Sequence, residues 1–283
     1  MLETYRPEFF PEVKAFCRRL KNFFYVRLII KAHSSGRLPG ECYVWREDGS
    51  IVAFSAVAYL NPDDAWLWGM RVATEFQSKG IATRFTRALF PIVRKTGRTW
   101  AGLNTLDHAK PAPTFRVMDK LGFRVEDIYA DDVYWRLPKG VPRPHLEAHR
   151  DIFAHFARLG RKTIFHQRPG WFCSRLTPAR RQWVNKNGYR LDGVPVHVVR
   201  RRYVEKGPRY TLVTVNLFDR PADFVTFVPR LLALVPGRGH LVVNYPAEWK
   251  RDFRAAARAV IPKMKKNRGY WPSAWRIYGK PLA

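Results

Sequence analysis

The sequence of 283 residues is poor in cysteine and contains no long apolar run. Its three cysteines, Cys17, Cys42 and Cys173, form neither an even set for disulfide pairing nor a C-x-x-C metal motif. This excludes a disulfide-stabilised module and favours a reducing, cytoplasmic setting. The N-terminus lacks the apolar core of a signal peptide, and no stretch approaches the roughly 18 apolar residues of a membrane span. We therefore expect neither secretion nor a membrane span.

Acidic side chains are also scarce. Asp and Glu number 23 against 51 Lys and Arg, which gives a formal net charge of +28. Most of this excess lies in residues 141–283. A field of this sign attracts polyanions, such as cofactor phosphates, nucleic acid, acidic proteins or anionic lipid. Plain solubility is the other explanation.

The first half of the chain alternates between helical and β-type patterns. Apolar residues recur at helical spacing in residues 8–23 and 80–96, whereas residues 51–60 and 65–72 read as strands. Two closing strands are expected, at 123–129 and 133–137. The order of helix, antiparallel strands, helix, strand, helix and strands predicts a mixed, mostly antiparallel α/β sheet flanked by helices.

Three prolines within residues 138–144 predict a linker. Residues 1–137 would then form the first domain, and residues 145–283 would form a second, smaller and basic α/β domain. Within the second domain we expect strands at 210–218 and 240–245, and a basic helix at 247–266.

The segment with the clearest functional pattern joins the strand at 65–72 to the helix that follows it. Residues 77–82 read Q-S-K-G-I-A, and the small side chains of Gly80 and Ala82 let a ligand approach the backbone closely. A helix N-terminus offers free amides and a partial positive charge, so it binds phosphate without a specific side chain. Lys79 strengthens the site. The pattern predicts a phosphate-binding loop, although small residues also serve plain helix–strand packing.

This loop and two later segments resemble the motifs of the GNAT N-acetyltransferase family. The run V-x-x-x-F-Q-x-x-G-I-A over residues 72–82 is similar to the family's CoA-binding motif. Asn104, Phe115 and the K-L-G-F run at 120–123 are similar to its second motif. The resemblance covers about residues 1–137. It implies the GNAT fold, acetyl-CoA as cosubstrate, and direct attack of an amine on the thioester, whose carbonyl a backbone N–H polarises.

The resemblance also implies which residues hold the CoA thioester. Backbone groups of residues 70 and 72 would pair with the pantetheine arm like an added strand, and the amides of residues 78–83 would hold the pyrophosphate. Asn104 would face the CoA chain, and no metal is expected. The expected cofactor-binding residues are Met70, Arg71, Val72, Gln77, Ser78, Lys79, Gly80, Ile81, Ala82, Thr83, Asn104 and Phe115.

Two departures from the family pattern concern proton transfer. Met118 stands where many relatives have a tyrosine that protonates the leaving thiolate, and a thioether cannot donate a proton. The strand at 65–72 also lacks the glutamate that often acts as base. The candidate bases are Glu41, Asp64 and His108, with Asp63 and Asp107 as further acids. Each of these residues also has a purely structural explanation, such as a position in a turn, at a strand start or at a helix cap.

The second half permits two interpretations of its fold and two of its charge. Its last strand, helix and strand are similar in order to the end of a GNAT domain, which suggests a degenerate second unit; an unrelated α/β extension is the alternative. Basic runs at 200–203 and 263–268, with Tyr270, Trp271 and Trp275 nearby, are typical of nucleic-acid binding. A solvated helix face and core aromatics are the alternative explanation, and the preferred one.

The leading functional prediction is an acetyl-CoA-dependent N-acetyltransferase that acts on the amine of a small, amino-acid-like molecule or of a protein. One alternative is a GNAT protein tethered to RNA or DNA by residues 141–283. Another is a CoA-binding regulator without turnover, which is consistent with Met118 in place of the proton-donating tyrosine. The lining of the cleft beside residues 70–72 distinguishes the acceptors: an acidic lining indicates a cationic amine, and a basic lining indicates a carboxylate- or phosphate-bearing one.

Overall fold

The computed structural model describes residues 1–20, 23–36, 38–106, 113–134, 144–165, 172–203, 210–235, 239–260 and 275–282. The strands of the first half are β1 (Leu2–Thr4), β2 (Gly40–Glu47), β3 (Ser50–Tyr59), β4 (Asp64–Val72), β5 (Trp100–Leu106) and β6 (Arg124–Tyr134). Its helices are α1 (Phe10–Arg19), α2 (Phe23–Ser34), α3 (Ile81–Lys95) and α4 (Pro113–Lys120).

The second half repeats this alternation of helices and strands. Its strands are β7 (Glu147–Ala148), β8 (Thr163–Phe165), β9 (Cys173–Arg175), β10 (Gly188–Leu191), β11 (Val194–Tyr203), β12 (Tyr210–Leu217), β13 (Gly239–Pro246) and β14 (Trp275–Pro281). Its helices are α5 (Ile152–Arg158), α6 (Arg181–Lys186), α7 (Phe224–Leu232) and α8 (Lys250–Val260).

One sheet of twelve strands runs through both halves, in the order β1-β2-β3-β4-β5-β14-β6-β13-β12-β11-β10-β7. Strands β8 and β9 pair separately. Within the large sheet, β4 runs parallel to β5 and β12 runs parallel to β13, while the other neighbours are antiparallel. The expected mixed, mostly antiparallel α/β sheet flanked by helices is therefore confirmed.

Strand β14 belongs to the second half of the chain but lies between β5 and β6 of the first. Tyr278 stands opposite both Leu103 and Val125. In return, β6 pairs with β13 of the second half. The expectation of two closing strands at 123–129 and 133–137 was wrong, because β6 is one strand and β14 takes the place beside it.

The halves thus share one sheet, and each contributes a strand beside the other half's parallel pair. The linker expected at 138–144 lies outside the described residues except for its last position. The division into domains 1–137 and 145–283 stays a prediction. Among the described residues, no helix is both long enough and apolar enough to cross a membrane.

Three clusters of buried apolar side chains show which helices cover which face. Helices α1, α2, α5 and α6 pack on one face of the sheet, which we call the α1/α2 face in the first half. Helices α3 and α4 cover the opposite face of the first half, the α3/α4 face. Helices α7 and α8 cover the corresponding face of the second half. All three cysteines are free and buried.

Candidate active site

Strands β4 and β5 run side by side only at their beginning. The pairing extends from Asp64–Trp100 to Trp66–Gly102, although the strands continue to Val72 and Leu106. The two strands therefore separate toward their C-terminal ends. We call the opening between residues 67–72 and 103–106 the wedge. Its edges carry backbone groups that can pair with an extended ligand, as a sheet edge pairs with an added strand.

Tryptophans close the narrow end of the wedge. The rings of Trp66 and Trp100 lie 6.3 Å apart between centroids. A Cβ at Gly102 would lie 2.1 Å from the Trp100 ring and 2.7 Å from the Trp66 ring. Glycine is needed here because any side chain would collide with this pair. The paired end is thus tightly packed, and space for a ligand exists only toward the C-terminal ends.

A β-bulge interrupts β4 beside the wedge. The register with β3 shifts between Phe54 and Ala56, so that Gly69 and Met70 together stand against Ser55. Gly69 has a φ of +73°, and a Cβ there would lie 2.3 Å from Ile29 Cδ1. Both facts require glycine. A bulge leaves extra backbone of β4 without a ladder partner on β3, next to the residues that border the wedge.

The predicted phosphate loop connects β4 to α3. Gly80, in left-handed conformation with φ of +76°, is the N-cap of α3 and makes no side-chain capping hydrogen bond. Ser78 is also left-handed, with φ of +64°. The first amides of α3 therefore have neither an intrahelical acceptor nor a capping side chain, and the helix dipole adds partial positive charge. This geometry suits an anion.

Side chains of the loop brace it against its surroundings. Gln77 Nε2 donates to the carbonyl of Val72 at 3.2 Å. Arg84, in the first turn of α3, donates through Nη1 to the carbonyl of Lys79 at 3.0 Å and through Nη2 to Glu47 at 2.9 Å. The Arg84–Glu47 pair is exposed, so solvent weakens it. Cationic groups therefore flank the amides of residues 78–83, as the sequence indicated.

Residues 70–72 of β4 divide between the two faces of the sheet. Met70 and Val72 pack against the cluster under α3 and α4. Arg71 stands directly opposite Phe54, which belongs to the cluster under α1 and α2. Directly opposite residues of an antiparallel pair point to the same side. Arg71 therefore projects onto the α1/α2 face.

The second motif supplies one buried donor and one apolar wall. Asn104 lies on the wedge edge of β5, and its buried Nδ2 has no hydrogen-bond partner. A donor left without a partner costs about 1–3 kcal/mol unless a ligand or water satisfies it. Phe115 of α4 is buried, with the Tyr278 ring 6.2 Å away and the Arg276 guanidinium 4.8 Å above it. Strand β14 thus reaches this site.

Met118, which replaces the family's tyrosine, is only 4% exposed. It lies in the apolar cluster under α3 and α4, together with Leu121 and Phe123. A side chain in this position stabilises the packing of α4. The structure gives Met118 a packing role and no polar partner, which agrees with the inability of a thioether to supply a proton.

The two candidate bases that the structure describes, Glu41 and Asp64, do not lie at the wedge. Glu41 lies on β2, two strands from β4, and accepts a hydrogen bond from the Tyr43 hydroxyl at 2.5 Å. Asp64 lies at the paired end of β4, about 26 Å from Val72 at roughly 3.3 Å per residue. His108, like Asp107, lies outside the described residues.

The carboxylate of Asp64 is already engaged in a buried structural cluster. It is 1% exposed and accepts hydrogen bonds from Asn61 Nδ2 at 2.9 Å and from Arg175 Nε at 2.7 Å. Arg175 also donates its backbone N–H to Asp64 at 3.0 Å. These contacts join the two halves of the chain and leave the carboxylate no role at the wedge.

Two contributors to the site escaped the sequence analysis. The first is the bulge at Gly69, although a glycine inside a strand pattern is a recognised signal for one. The second is β14, which carries Arg276 to the Phe115 ring and Ile277 opposite Asn104. No local pattern could have placed β14 there, because its partners are remote in sequence.

Comparison with known proteins agrees with this geometry. Residues 2–123 match the sequence model of the Acetyltransferase (GNAT) family. A candidate acetyltransferase from Thermoplasma acidophilum has a similar structure, with a TM-score of 0.54 and 16% identity over 99% of each chain. Another from Pyrococcus horikoshii has a TM-score of 0.50 and 12% identity, covering 99% of this chain and 89% of that one.

At such identities these two structures support the fold alone. No curated protein matches the sequence of this chain. The match over residues 2–123 confirms the resemblance drawn from the motifs, and the two full-length likenesses extend the fold to the second half. Residues 2–123 thus match the Acetyltransferase (GNAT) family, and the remainder of the chain shares the fold of the two similar structures.

Proposed function

We propose that this protein is an N-acetyltransferase that moves the acetyl group of acetyl-CoA to an amine. One observation carries the proposal: the wedge leads directly into the uncapped N-terminus of α3. An extended amide-containing arm fits the edge of β4, and a pyrophosphate fits the amides that follow. The family's use of acetyl-CoA supports the same assignment.

The residues present fit the cosubstrate. Backbone groups of Met70 and Val72 would pair with the pantetheine arm, and the amides from Ser78 to Thr83 would hold the pyrophosphate. The buried, unpartnered Nδ2 of Asn104 would donate to a carbonyl of the arm. Phe115 would form the apolar wall beside it. Bound acetyl-CoA supplies a thioester whose carbonyl carbon the amine attacks.

Within the chain, the bulge in β4 would provide electrostatic stabilisation. Backbone N–H groups freed from β3 at Gly69 and Met70 would donate to the carbonyl oxygen, on which negative charge develops during attack. They are fixed by the sheet, so they would need no reorganisation during the reaction. The main chain of β4 would therefore act as the oxyanion donor.

Proton transfer would not involve α4, because Met118 is buried in the packing of that helix. Among the predicted bases, Glu41 and Asp64 are held by other partners away from the wedge. His108 follows the wedge-side end of β5 after Leu106, which makes it the base that we propose to test first. Water would protonate the leaving thiolate.

A calorimetric titration with acetyl-CoA tests the first half of the proposal. We expect one binding event per chain, and no heat of binding at high micromolar acetyl-CoA would overturn the proposal. Release of free thiol in the presence of an amine panel tests the second half. Binding without amine-dependent thiol release would favour the alternative of a CoA-binding regulator without turnover.

The nucleic-acid alternative and the cytoplasmic setting stay predictions. The basic run at 263–268, with Tyr270 and Trp271, lies outside the described residues. Trp275, which the sequence offered for base stacking, instead donates its indole N–H to Asp131 at 2.8 Å and packs against the α1/α2 cluster. Trp275 therefore does not support the alternative in which residues 141–283 bind RNA or DNA.

A further inference from the structure

The wedge has two distinct sides. Helices α3 and α4 cover one face of the sheet, and the amides of residues 78–83 begin α3 on that side. If acetyl-CoA enters from the α3/α4 face, an incoming amine must reach the wedge from the α1/α2 face, because the thioester lies between them. The side chains that β4 presents to the α1/α2 face therefore determine which amine can bind.

At the open end of the wedge, Arg71 is the charged side chain that β4 presents to this face, and it sits immediately after the bulge. Its guanidinium lies over the Tyr25 ring, 5.1 Å from the centroid. Its Nη1 donates to the carbonyl of Met70 at 2.7 Å. Stacking and this hydrogen bond together hold the guanidinium plane in one orientation.

The remaining donors of Arg71 form an unused binding edge. Nε is buried and has no hydrogen-bond partner among the residues that the structure describes. Nε and Nη2 lie on the same side of the planar guanidinium, which is the fork that a carboxylate accepts in a bidentate manner. Leaving a buried donor of a charged group unsatisfied is unfavourable, so the arrangement suits an anion that arrives from outside the chain.

The surroundings of Arg71 supply no compensating negative charge. Among the described residues, no ion pair within 4.0 Å includes Arg71. The groups packed around it are the Tyr25 ring, Phe54 and, at longer range, the Cys17 thiol. Burial raises the pKa of Cys17 to about 12, so this thiol is neutral near pH 7.

We propose that the acetyl acceptor carries a carboxylate close to its reactive amine, and that Arg71 binds this carboxylate through Nε and Nη2. The inference rests on the proposed function and narrows its acceptor to amino-acid-like molecules. Because Arg71 adjoins the bulge, the amine and the carboxylate must be only a few bonds apart. A polyamine or an isolated lysine side chain lacks the anion that this position recognises.

The test compares amino acids with the amines that result from their decarboxylation, using the full-length protein and saturating acetyl-CoA. Hydrogen bonds to charged groups contribute about 1.5–3 kcal/mol, so we expect the wild type to favour the carboxylate-bearing member of a pair by roughly 10- to 100-fold in kcat/KM. Arg71→Met should remove this preference, because KM rises far more for the carboxylate-bearing member of a pair than for its matched amine. Arg71→Lys should retain part of it.

Arg98 offers a matched control. Its guanidinium stacks over Tyr59 at 4.0 Å, Nη1 donates to the carbonyl of Thr96 at 3.3 Å, and its Nε is also without a partner. It lies at the closed end of the wedge, beside the start of β5, with Asp63 and Asp64 as nearby charges. Arg98→Met should therefore leave the preference for carboxylates unchanged.

Three results would overturn the inference. The wild type could turn over decarboxylated amines as well as amino acids, Arg71→Met could lower both substrates equally, or a phosphorylated amine could exceed every carboxylate. In each case acetyl-CoA still binds and an amine is still acetylated, so the proposed function survives. Loss of acetyl-CoA binding in the wild type would instead remove the proposed function itself. Arg71→Lys keeps the test decisive if Arg71→Met does not fold.

Discussion

The two halves of the molecule place a parallel strand pair at corresponding positions of one sheet, yet only one pair opens. Strands β12 and β13 stay paired from Thr211–Gly239 to Asn216–Asn244. Strands β4 and β5 part after Trp66 and Gly102. Along their described residues, β12 and β13 therefore leave no gap into which an extended arm can be laid, although the strand order of the two halves is similar. The comparison indicates that the strand order alone does not create the site. The site depends on the early end of the pairing between β4 and β5.

The helix that follows the first strand of each pair, α3 or α7, also differs between the halves in how its N-terminus is capped. Gly80 begins α3 without a capping side chain, whereas Asp223 begins α7 and accepts from the amides of Val225 at 2.8 Å and Thr226 at 3.2 Å. The hydrogen bonds from these amides, chiefly the one from Val225, lower the pKa of Asp223, so the group is a carboxylate near pH 7. An anion of the chain itself thus occupies the helix end of the second half, where it would repel phosphate.

The first prediction concerns the strand that the halves share. Ile277 of β14 is fully buried between β5 and β6, and Ile277→Ala should lower the free energy of unfolding by about 2–5 kcal/mol. Hydrogen exchange read by mass spectrometry should show faster exchange in both β5 and β13. Protection lost in the first half alone would show that the two halves fold independently.

The second prediction makes the first half resemble the second. Gly80→Asp should place a carboxylate at the start of α3, as Asp223 does at α7, and weaken acetyl-CoA binding by roughly 100-fold because like charges in contact cost several kcal/mol. Gly80→Asn is the control, since it carries the same strain at φ of +76° without the charge. Calorimetry should show a smaller loss of acetyl-CoA affinity for Gly80→Asn than for Gly80→Asp. Equal losses would mean that the charge at the helix end does not affect acetyl-CoA binding.

The third prediction concerns a row of buried polar side chains that, among the described strands, occurs only in the second half. His197, Asn216 and Asn244 are fully buried and linked across β11, β12 and β13 at 3.1 and 3.4 Å. Burial lowers the pKa of His197 from 6.5 to about 3. The unfolded chain therefore binds a proton below pH 6.5 that the folded chain does not, and stability falls as the pH drops toward 3.

This group alone should remove about 1.4 kcal/mol of stability per pH unit below 6.5. Urea denaturation between pH 7 and pH 5 measures the slope before most carboxylates titrate. His197→Asn keeps an acceptor for Asn216 and should flatten that slope. An unchanged slope would place the titrating group elsewhere in the chain.

The smallest effect is expected from the cap of α7. Asp223→Ala should lower the stability only slightly, since it removes two solvent-exposed hydrogen bonds from a helix end. It should leave acetyl-CoA binding at one per chain, because β12 and β13 remain closed. A second binding event in calorimetry would contradict the idea that the closed strand pair, and not the cap, excludes the ligand.

Local features of the sequence were enough to predict the phosphate loop and the mixed sheet. The small residues at Gly80 and Ala82, and the change from strand to helical spacing, depend only on neighbours along the chain. The side of Arg71 was not predictable from alternation, because the bulge at Gly69 and Met70 shifts the strand by one residue. Alternation from Trp66 and Trp68 would have placed Met70, and not Arg71, on the α1/α2 face.

The position of β14 was beyond sequence reasoning for a related reason. Strand pairing between segments distant along the chain leaves no periodicity that a local pattern can report, and the expected pair at 123–129 and 133–137 satisfied the same hydrophobic pattern. The interpretation of the second half as a degenerate GNAT-like unit stays a prediction. Its strand order and its two full-length structural likenesses support it.

The insertion of β14 also has a consequence for biosynthesis. Strand β5 leaves the ribosome early, but its neighbour is made only when residues 275–281 are translated. Until then the nascent chain carries an unpaired strand edge, the kind of surface on which polypeptides aggregate. The half that carries the wedge would therefore be among the last parts of the molecule to mature, and nascent chains that stall before Trp275 would be expected to bind chaperones.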